Sequence, residues 1–545
     1  MSATRPVTPP KAPPPRTASR LVRGYGPLIG FTVLFLLMSL FVPTRRQEVV
    51  TERVAAGTGD GRDASGGQGS GAGASGAASA AAATEGSGTT ASAGGAACPD
   101  RADQVPGDPY SPPCVAFAGS NGGATFKGVT DTEIVIAVRV SQGGGFQDAL
   151  ATAAGAAISD TAEDTKRTLQ GLADYFNTNY QFYGRKIRLE FYDGRGDPLK
   201  EILGGGQEGA EADAIRVSDE IGAFADLSAG TPPYADALGR RQIVNIGAPY
   251  MSREWFSQRA PYSWSPFTDC SIIVETVSDY YAKRLARHPA SFAKGDLAGR
   301  DRAPAVIAPE NSWYQECVSA GLAIMEAQGL KPTVTEKYKL DLSMMSNQAV
   351  NLVAKLKSAN VTTVVCGCDP VLLLFMTGKA REQNYFPEWI ITGVAFTDQD
   401  IVGQLFDQDE WANSVGISFA GDVQPLKASL GYNAYKTVRS DEPAFATDGL
   451  YFQMSVLALG LQMAGPNLTP QTFQQGLFDY PAKTGPAGTW AFGPDDFTTS
   501  DDAREIYWDP NRRSVQNGDQ GAYVDTSPGQ RFPMGQFPAG EPKAG

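Results

Sequence analysis

Residues 133–140 read EIVIAVRV, a short and almost unbroken run of apolar and β-branched side chains. Such a run is typical of a strand that is buried on both faces of a parallel sheet. The pattern after it predicts an amphipathic helix at 165–177 and a second strand at 185–193. Strands separated by helix-length segments indicate βαβ units. The sequence therefore predicts an α/β fold with a doubly wound parallel sheet.

The alternation extends outward in two series, which we interpret as two Rossmann-like lobes. We expect the chain to return to the first lobe near residue 414, so that lobe 1 comprises 128–262 with about 414–475. Lobe 2 then comprises 263–413 with about 485–510. Residues 511–545 are rich in Pro, Gly, Asn and Asp, and are predicted to form a loose C-terminal tail.

The first hundred residues are predicted to lie outside this fold. Residues 24–43 carry no charge, and their length suits a helix that crosses a bilayer core of about 30 Å. Because 1–23 contain basic but no acidic side chains, the positive-inside rule places them in the cytoplasm and the rest outside. We expect an uncleaved signal anchor; cleavage, which would give a secreted protein, is the alternative. Residues 44–97 are mostly Gly, Ala, Ser and Thr, which predicts a disordered tether.

The charge balance excludes several classes of function. The 545 residues include 46 Lys or Arg, 59 Asp or Glu and one His, for a formal net charge of −13. An acidic chain disfavours nucleic acid, whose recognition needs a basic face. A single His, with no GxSxG elbow, leaves no Ser–His pair or histidine metal cluster of the usual kind. We therefore expect no cofactor, no metal and no enzymatic activity, and a secreted hydrolase is a weak alternative.

Six cysteines in an exported chain predict disulfides. Cys98 and Cys114 bracket a Pro-, Gly- and Asp-rich loop, so we expect them to staple residues 98–127, here called the stapled segment, at the start of the folded part. The other four cysteines are Cys270, Cys317, Cys366 and Cys368. The two that are separated by one residue would form a strained bridge, so we expect at least one of them to pair with an earlier cysteine.

Ligands of open α/β sheets bind beyond the carboxyl ends of the strands, near helix N-termini. In the first series, Ser228, Ala229 and Thr231 lie between a predicted strand and a helix. Their hydroxyls and amides suit a carboxylate or another polar group, and simple N-capping is the alternative. Phe146 follows a run of three glycines after the first strand, a pattern more typical of a flexible loop than of a nucleotide site.

The second series offers a matching set of candidates. Trp313 and Tyr314 begin a predicted helix and form either a ligand wall or part of the core. Asp369 and Asp398 follow two predicted strands, where they either meet a ligand amine or cap helices.

Four stretches together carry a family resemblance: GVTDTEI at 128–134, GRKI to YDGRGDP at 184–198, SAGT at 228–231 and WYQE at 313–316. In order and spacing they resemble the bacterial leucine/isoleucine/valine-type solute-binding proteins over about 128–510. The resemblance implies a type I periplasmic-binding fold, in which two lobes joined by three crossovers close on a small solute. It also implies that the solute passes to the permease subunits of an ABC importer.

The resemblance also assigns ligand positions. The family's ligand serine falls on Ser228, and its next contact loop falls on Pro249, Tyr250 and Met251. The family's second-lobe tyrosine falls around Cys368 and Asp369, which departs from its pattern.

A second departure concerns the charge expected at the site. The family's amine-pairing acid falls on or near the uncharged Ala395, with Asp398 three residues later. Together with the bulky Tyr250, Phe396 and Trp313, this favours a solute larger or more apolar than an α-amino acid. We expect a monomeric ectodomain that delivers an amino acid, an amide or a larger apolar or aromatic metabolite. A ligand-sensing ectodomain that acts through a membrane partner is the alternative.

Overall fold

The structure is a computed structural model, and it describes Cys98 and residues 101–140 and 160–543. The described residues belong to one compact unit that spans Ala91–Gly545. Within this described part, no helix combines the length and apolar character needed to span a bilayer. The predicted cytoplasmic segment 1–23, anchor 24–43, tether 44–97 and Phe146 lie outside the described residues.

The first sheet has five parallel strands in the order β2-β1-β3-β4-β5. These strands are β1 (Glu133–Val140), β2 (Lys186–Asp193), β3 (Ala225–Asp226), β4 (Val244–Ile246) and β5 (Ser263–Trp264). The helices of this part of the chain are α1 (Ala162–Asn179), α2 (Pro198–Ile202), α3 (Gln207–Ile215), α4 (Pro232–Arg240) and α5 (Arg253–Ser257). The six inner residues of β1 are buried, as the opening run of apolar side chains predicts.

Helix α1 shows why these segments fold where they do. Thr161 accepts a hydrogen bond from the amide of Asp164, whose carboxylate accepts one from the amide of Thr161, and this capping box fixes the helix start. Leu169, Leu172 and Phe176 recur at helical spacing and are buried in the lobe.

The second sheet contains the later strands, β6 to β10 and β13 to β15. Their bounds, with those of a separate two-stranded ribbon (β11 and β12), are β6 (Pro304–Pro309), β7 (Val334–Tyr338), β8 (Thr363–Cys366), β9 (Glu388–Ile391), β10 (Ser414–Ser418), β11 (Lys483–Gly485), β12 (Gly488–Trp490), β13 (Asp502–Arg513), β14 (Gln520–Asp525) and β15 (Phe532–Pro533). The order is β14-β13-β10-β9-β8-β6-β7, with β15 paired to β13. Strands β6 to β10 are parallel, whereas β13 runs antiparallel to β10 and to β14.

The remaining helices surround the two sheets. They are α6 (Cys270–Tyr280), α7 (Ser312–Ala327), α8 (Met345–Ser358), α9 (Pro370–Glu382), α10 (Asp400–Gly403), α11 (Gln408–Trp411), α12 (Leu430–Val438), α13 (Thr447–Met463) and α14 (Pro470–Phe478). Buried residues of α12, α13 and α14 share one hydrophobic core with β1 to β5. The chain therefore completes lobe 1 with helices from its last quarter.

The predicted return to lobe 1 at residue 414 is wrong, because β10 belongs to the second sheet. It pairs in parallel with β9, and Gly416 allows the close approach. A Cβ at Gly416 would lie 2.2 Å from the carbonyl oxygen of Ile391. The return to lobe 1 takes place after β10, with α12.

The prediction of a loose tail at 511–545 is also wrong over its described part. Strand β13 continues to Arg513, and both β14 and β15 hydrogen-bond to it. The turns between these strands account for the Pro- and Gly-rich composition. Aromatic side chains in β14, in β15 and just after β15 reach the core. Those buried aromatic side chains are Tyr523, Phe532 and Phe537.

The stapled segment packs against lobe 1 and the β11–β12 ribbon, and Cys98 and Cys114 are disulfide-bonded. The Tyr110 ring stacks on Trp490 with centroids 4.3 Å apart, and its hydroxyl donates to the Gly488 carbonyl at 2.9 Å. Asp108 accepts a hydrogen bond from the Tyr451 hydroxyl at 2.8 Å.

The other disulfides differ from the prediction. Cys270 pairs with Cys317, and Cys366 pairs with Cys368, so neither cysteine of the close pair reaches an earlier one. The chain turns between the end of β8 and the start of α9, which places the Cα atoms of Cys366 and Cys368 5.0 Å apart. This separation lies within the usual range for a disulfide.

Three crossovers connect the lobes: β5 to α6, β10 to α12, and β12 to β13. The first and third run side by side. The amide of Ser265 donates to the Phe497 carbonyl at 3.2 Å, and the hydroxyl of Thr268 donates to the Ser500 carbonyl at 3.1 Å. These two crossovers therefore form one hydrogen-bonded strip between the lobes.

Candidate functional site

A cavity of about 1100 Å³ lies between the two lobes, with walls built from both. Most of the lining side chains are apolar, and many are aromatic. The aromatic set includes Tyr250, Phe267, Tyr314, Phe396, Phe419 and Phe452. Five predicted site residues line the cavity: Tyr250, Tyr314, Asp369, Phe396 and Asp398. The side chains of Ser228, Ala229, Thr231 and Trp313 are not part of this lining.

Tyr250 links the two sides of the cavity. It follows β4, and its hydroxyl faces the backbone amides of Ala395 and Phe396 in the turn after β9. Burial raises the pKa of Tyr250, as does the nearby Asp398, so the hydroxyl stays protonated. The ring of Phe267, in the first crossover, lies 5.9 Å from Tyr250 and 5.8 Å from Phe396 between centroids. Three chain segments thus meet in one aromatic cluster at the cavity wall.

The backbone of this cluster is strained. Tyr250, Ala395 and Phe396 have φ angles of 59°, 51° and 64°, in the left-handed region that non-glycine residues rarely adopt. Such conformations cost about 1–3 kcal/mol each and concentrate at functional sites. All three residues line the cavity, which marks this wall as a place where tertiary structure overrides local preference.

The two predicted acids are buried and have protein partners. Asp369 caps α9 by accepting the amides of Val371 and Leu372, and its second oxygen accepts the Tyr338 hydroxyl at 2.7 Å. Asp398 accepts the Ser418 hydroxyl at 2.6 Å. Burial raises the pKa of both carboxyls, whereas these hydrogen bonds lower it. Capping, one of the two roles that the sequence allowed, therefore accounts for Asp369.

Ser228 and its neighbourhood are engaged within lobe 1. The Ser228 hydroxyl donates to Asp226 at 2.7 Å and accepts the amide of Arg139 at 2.7 Å. Burial raises the pKa of Asp226 to about 6, and the bonds from Ser228 and Tyr234 oppose that shift. The Thr231 hydroxyl donates to Glu201. Ligand contact by Ser228 or Thr231 stays a prediction.

Trp313 lies where the lobes approach each other. It is half-buried and packs against the lobe 1 core, although it belongs to α7 of the second series. A Cβ at Gly204, in lobe 1, would lie 3.6 Å from the Trp313 ring and 2.8 Å from the Asn311 amide. A glycine at that position therefore permits close contact between the lobes.

A buried charge cluster beside the cavity was missed by the sequence reasoning. Arg139, at the carboxyl end of β1, makes two hydrogen bonds to Glu201 at 2.8 and 2.9 Å and one to Asp213 at 3.3 Å. Its guanidinium also lies 3.9 Å from the Tyr234 ring centroid. Burial lowers the pKa of the Arg139 guanidinium, but the hydrogen bonds and the charge of Glu201 raise it by more. The pKa is therefore raised overall, and the charge is retained. The signal was a single Arg near the end of a strand that is apolar from Ile134 to Val138.

Within 101–140 and 160–543, no group of three or more His, Cys, Asp or Glu side chains is placed to hold a metal ion.

Two α/β lobes, three crossovers and an interlobe cavity define a type I solute-binding architecture, as predicted. The periplasmic binding protein family matches residues 149–513, so the chain belongs to the periplasmic binding protein family. Its resemblance to the leucine/isoleucine/valine-type proteins is thereby confirmed. Proteins of this family are extracytoplasmic, bind small solutes, work with ABC permeases and are not enzymes. No curated protein matches the sequence.

Three solved structures illustrate the shared fold. A leucine-, isoleucine-, valine-, threonine- and alanine-binding protein from Brucella ovis, in a closed conformation, is 14% identical with a TM-score of 0.51, covering 76% of this chain and 98% of that one. A solute-binding protein of an ABC transporter from Rhodopseudomonas palustris BisB5, in complex with 3,4-dihydroxybenzoic acid, is 13% identical with a TM-score of 0.51 and coverages of 74% and 98%. A protein of the same description from Rhodopseudomonas palustris HaA2, in complex with p-hydroxybenzoic acid, is 9% identical with a TM-score of 0.51 and coverages of 74% and 97%. At these identities the likeness shows the fold.

The Ser228→Ala variant is expected to lower the free energy of unfolding by about 1–2 kcal/mol, because it leaves the buried Asp226 without one donor. Chemical denaturation without added solute measures the change. Ser319→Ala is the matched control, since its hydroxyl is exposed on α7 and bonds only the Gln315 carbonyl. If Ser228→Ala leaves unfolding unchanged but abolishes solute binding, the hydroxyl serves the ligand rather than lobe 1.

Proposed function

We propose that the chain is the solute receptor of an ABC importer, which closes its lobes on a small solute and delivers it to the permease. The observation that carries this proposal is the interlobe cavity of about 1100 Å³. A volume of roughly 300–1,000 Å³ is usual for small-molecule sites, so the cavity has room for a metabolite-sized solute. The side-by-side first and third crossovers provide a short connection about which the lobes can rotate.

The lining supports a solute with a substantial apolar body. Ile273, Val277, Leu322 and Met325 contribute aliphatic surface, in addition to the aromatic cluster of Tyr250, Phe267 and Phe396. Burying apolar surface contributes about 25 cal/mol per Å², so a larger apolar solute gains more from this cavity than a small polar one. We propose an amino acid, an amide or a larger apolar or aromatic metabolite as the solute.

A thermal-shift screen of the full-length chain tests the proposal. The panel contains branched and aromatic amino acids, their amides, hydroxybenzoates, sugars and alkyl compounds. A solute at a hundred times its Kd is expected to stabilise the folded state by about 2.7 kcal/mol. Turnover of a stabilising compound would instead favour an enzyme, and an absence of any stabilising compound would contradict the receptor proposal.

Variants of a cavity residue test whether the compounds found in the screen bind in the interlobe cavity. Phe396→Ala removes an aromatic ring from the wall and is expected to weaken binding of every apolar hit. Val515→Ala is the control, because Val515 is exposed and does not line the cavity. Equal loss of binding in both variants would place the solute elsewhere.

A further inference from the structure

The cavity wall has an excess of negative charge. Among the described lining residues, the acidic side chains outnumber the basic ones by five to two. The acidic set is Asp160, Asp369, Asp398, Asp422 and Asp448, and the basic set is Arg139 and Lys166. In a cleft with low-dielectric walls, such an imbalance focuses a negative potential on the space where a solute binds.

Both basic side chains already have acidic partners. Arg139 is held between Glu201 and Asp213, and its side chain is 2% exposed. Lys166 forms an ion pair with Glu163 at 2.7 Å. The Arg139 cluster alone contains two carboxylates for one guanidinium, so it adds no positive charge to the cavity. No cation of the described wall is therefore free to receive a carboxylate from the solute.

Four of the five acids, by contrast, make no ion pair with any described residue: Asp160, which accepts the amide of Ala446 at 3.3 Å, and Asp369, Asp398 and Asp448. Asp422 is paired with Arg504. Asp369 and Asp398 bond only neutral hydroxyl or amide groups. The Arg504 guanidinium lies near Asp398 and opposes the burial that raises the pKa of that carboxyl, but it does not form an ion pair with it. The Asp448 carboxylate accepts the amide of Gly431 at 2.8 Å. Burial raises the pKa of Asp448, whereas Gly431 and Ser429 oppose that shift. A desolvated carboxylate gains most when a cation is brought beside it.

The aromatic rings of the cavity wall also favour a positively charged solute. The rings of Tyr250, Phe267 and Phe396 form one cluster at the cavity. The face of an aromatic ring attracts a cation, by about 0.5–1 kcal/mol when exposed and more when desolvated. Acidic and aromatic groups thus occur together in one apolar cavity.

We propose that the solute is an organic cation: an amine or quaternary ammonium group on an apolar body, without a compensating carboxylate. The inference rests on the proposed receptor function, because it specifies the solute of that same cavity. It narrows the proposed solutes to amides and larger apolar or aromatic metabolites that carry an amine or quaternary ammonium group, and so excludes free amino acids. It distinguishes this cavity from one built for an acid or a zwitterion, since the wall supplies acceptors and rings but no unpaired cationic donor.

Charge-matched probes test the inference on the full-length chain by titration calorimetry. One set is phenylethylammonium, phenylpropionamide and phenylpropionate, and a second is leucine amide, leucine and N-acetyl-leucine. The ammonium probe of each set is expected to bind at least tenfold more tightly than its anionic counterpart. If a carboxylate or leucine itself binds as tightly as the cation, the inference is overturned while the receptor function stands. If neither ammonium probe binds while another compound of the thermal-shift panel does, the inference is overturned and the receptor function stands.

The variants Asp398→Asn and Asp448→Asn test whether these two carboxylates attract the ammonium group. The amide oxygen can still accept the Ser418 hydroxyl or the Gly431 amide, so local structure is kept while one charge is removed. Each variant is expected to weaken binding of the ammonium probe about tenfold and to change binding of the neutral amide less than twofold. Glu326→Gln, on the exposed face of α7 outside the cavity wall, is the control for net charge. Equal losses for the ammonium and the amide would show a structural role and overturn the inference.

Discussion

Replacement of Arg302 by methionine is expected to lower the free energy of unfolding by about 3–5 kcal/mol, because it strands a buried carboxylate. Arg302 and Glu388 are both fully buried, with nitrogen–oxygen distances of 2.9 Å. Glu388 also accepts the Thr363 hydroxyl and the Phe292 amide, so the pair ties β8, β9 and the segment before β6 together. Urea unfolding followed by circular dichroism measures the loss.

Two further variants distinguish the loss of this buried ion pair from the loss of a positive charge at any other position. Arg188→Met breaks a surface pair with Glu133, in which both side chains are more than 40% exposed, and it is expected to cost less than about 1 kcal/mol. The double variant Arg302→Met with Glu388→Leu is expected to recover part of the loss, because no fully buried charge is left unpaired. Glu541, the second partner of Arg302 at 2.9 Å, is 30% exposed and can be solvated. A loss below 1 kcal/mol in Arg302→Met alone would contradict this account.

Raising the pH from 5 to 8 is expected to destabilise the folded protein through a carboxyl pair at the third crossover. Burial, the first cause, and the charge of neighbouring acids raise the pKa of both Asp496 and Asp501, which hydrogen-bond each other. Asp269 at the start of α6 adds to the repulsion, and Arg253 opposes it. Above pH 4 the unfolded chain has released these protons, whereas the folded chain still holds at least one. Stability therefore decreases by up to about 1.4 kcal/mol per pH unit for each retained proton.

Asp501→Asn tests this pH dependence. The asparagine amide can donate to Asp496 without titrating, so the slope of unfolding free energy against pH is expected to flatten between pH 5 and 8. Asp519→Asn, an exposed position beside β14, is expected to leave the slope unchanged. A wild-type stability that increases with pH over this interval would refute the assignment.

The parts of the fold that could be predicted are those that short segments specify. Residues 134–138 of the run are apolar on both faces, which is typical of a strand buried on both sides. Lobe membership is different, because β10 and β13 are assigned to a sheet by partners that are distant in sequence. The sequence around Gly416 does not indicate that this residue packs against Ile391. The turn residues of the C-terminal segment are recognisable in the sequence, but the strand with which β14 pairs is not.

The sequence could predict those site residues whose position depends only on the loop that contains them. Strand ends placed Asp369, Phe396 and Asp398 near the cleft, as the position of ligands in such sheets implies. The family resemblance placed Tyr250 there. The hydrogen-bond partners were not predictable. Ser228 bonds the amide of Arg139, 89 residues earlier, and a hydroxyl at a helix start has the same local sequence whether it bonds the protein or a solute.

The attachment of the stapled segment has a consequence for the order in which the chain can fold during synthesis. This segment is made before either sheet, yet Tyr110 and Asp108 find their partners at Trp490, Gly488 and Tyr451. Lobe 1 likewise waits for α12 to α14 to cover β1 to β5. The nascent chain must therefore carry an unfinished apolar core until nearly all of it has been made, and protection by chaperones matters most over that interval.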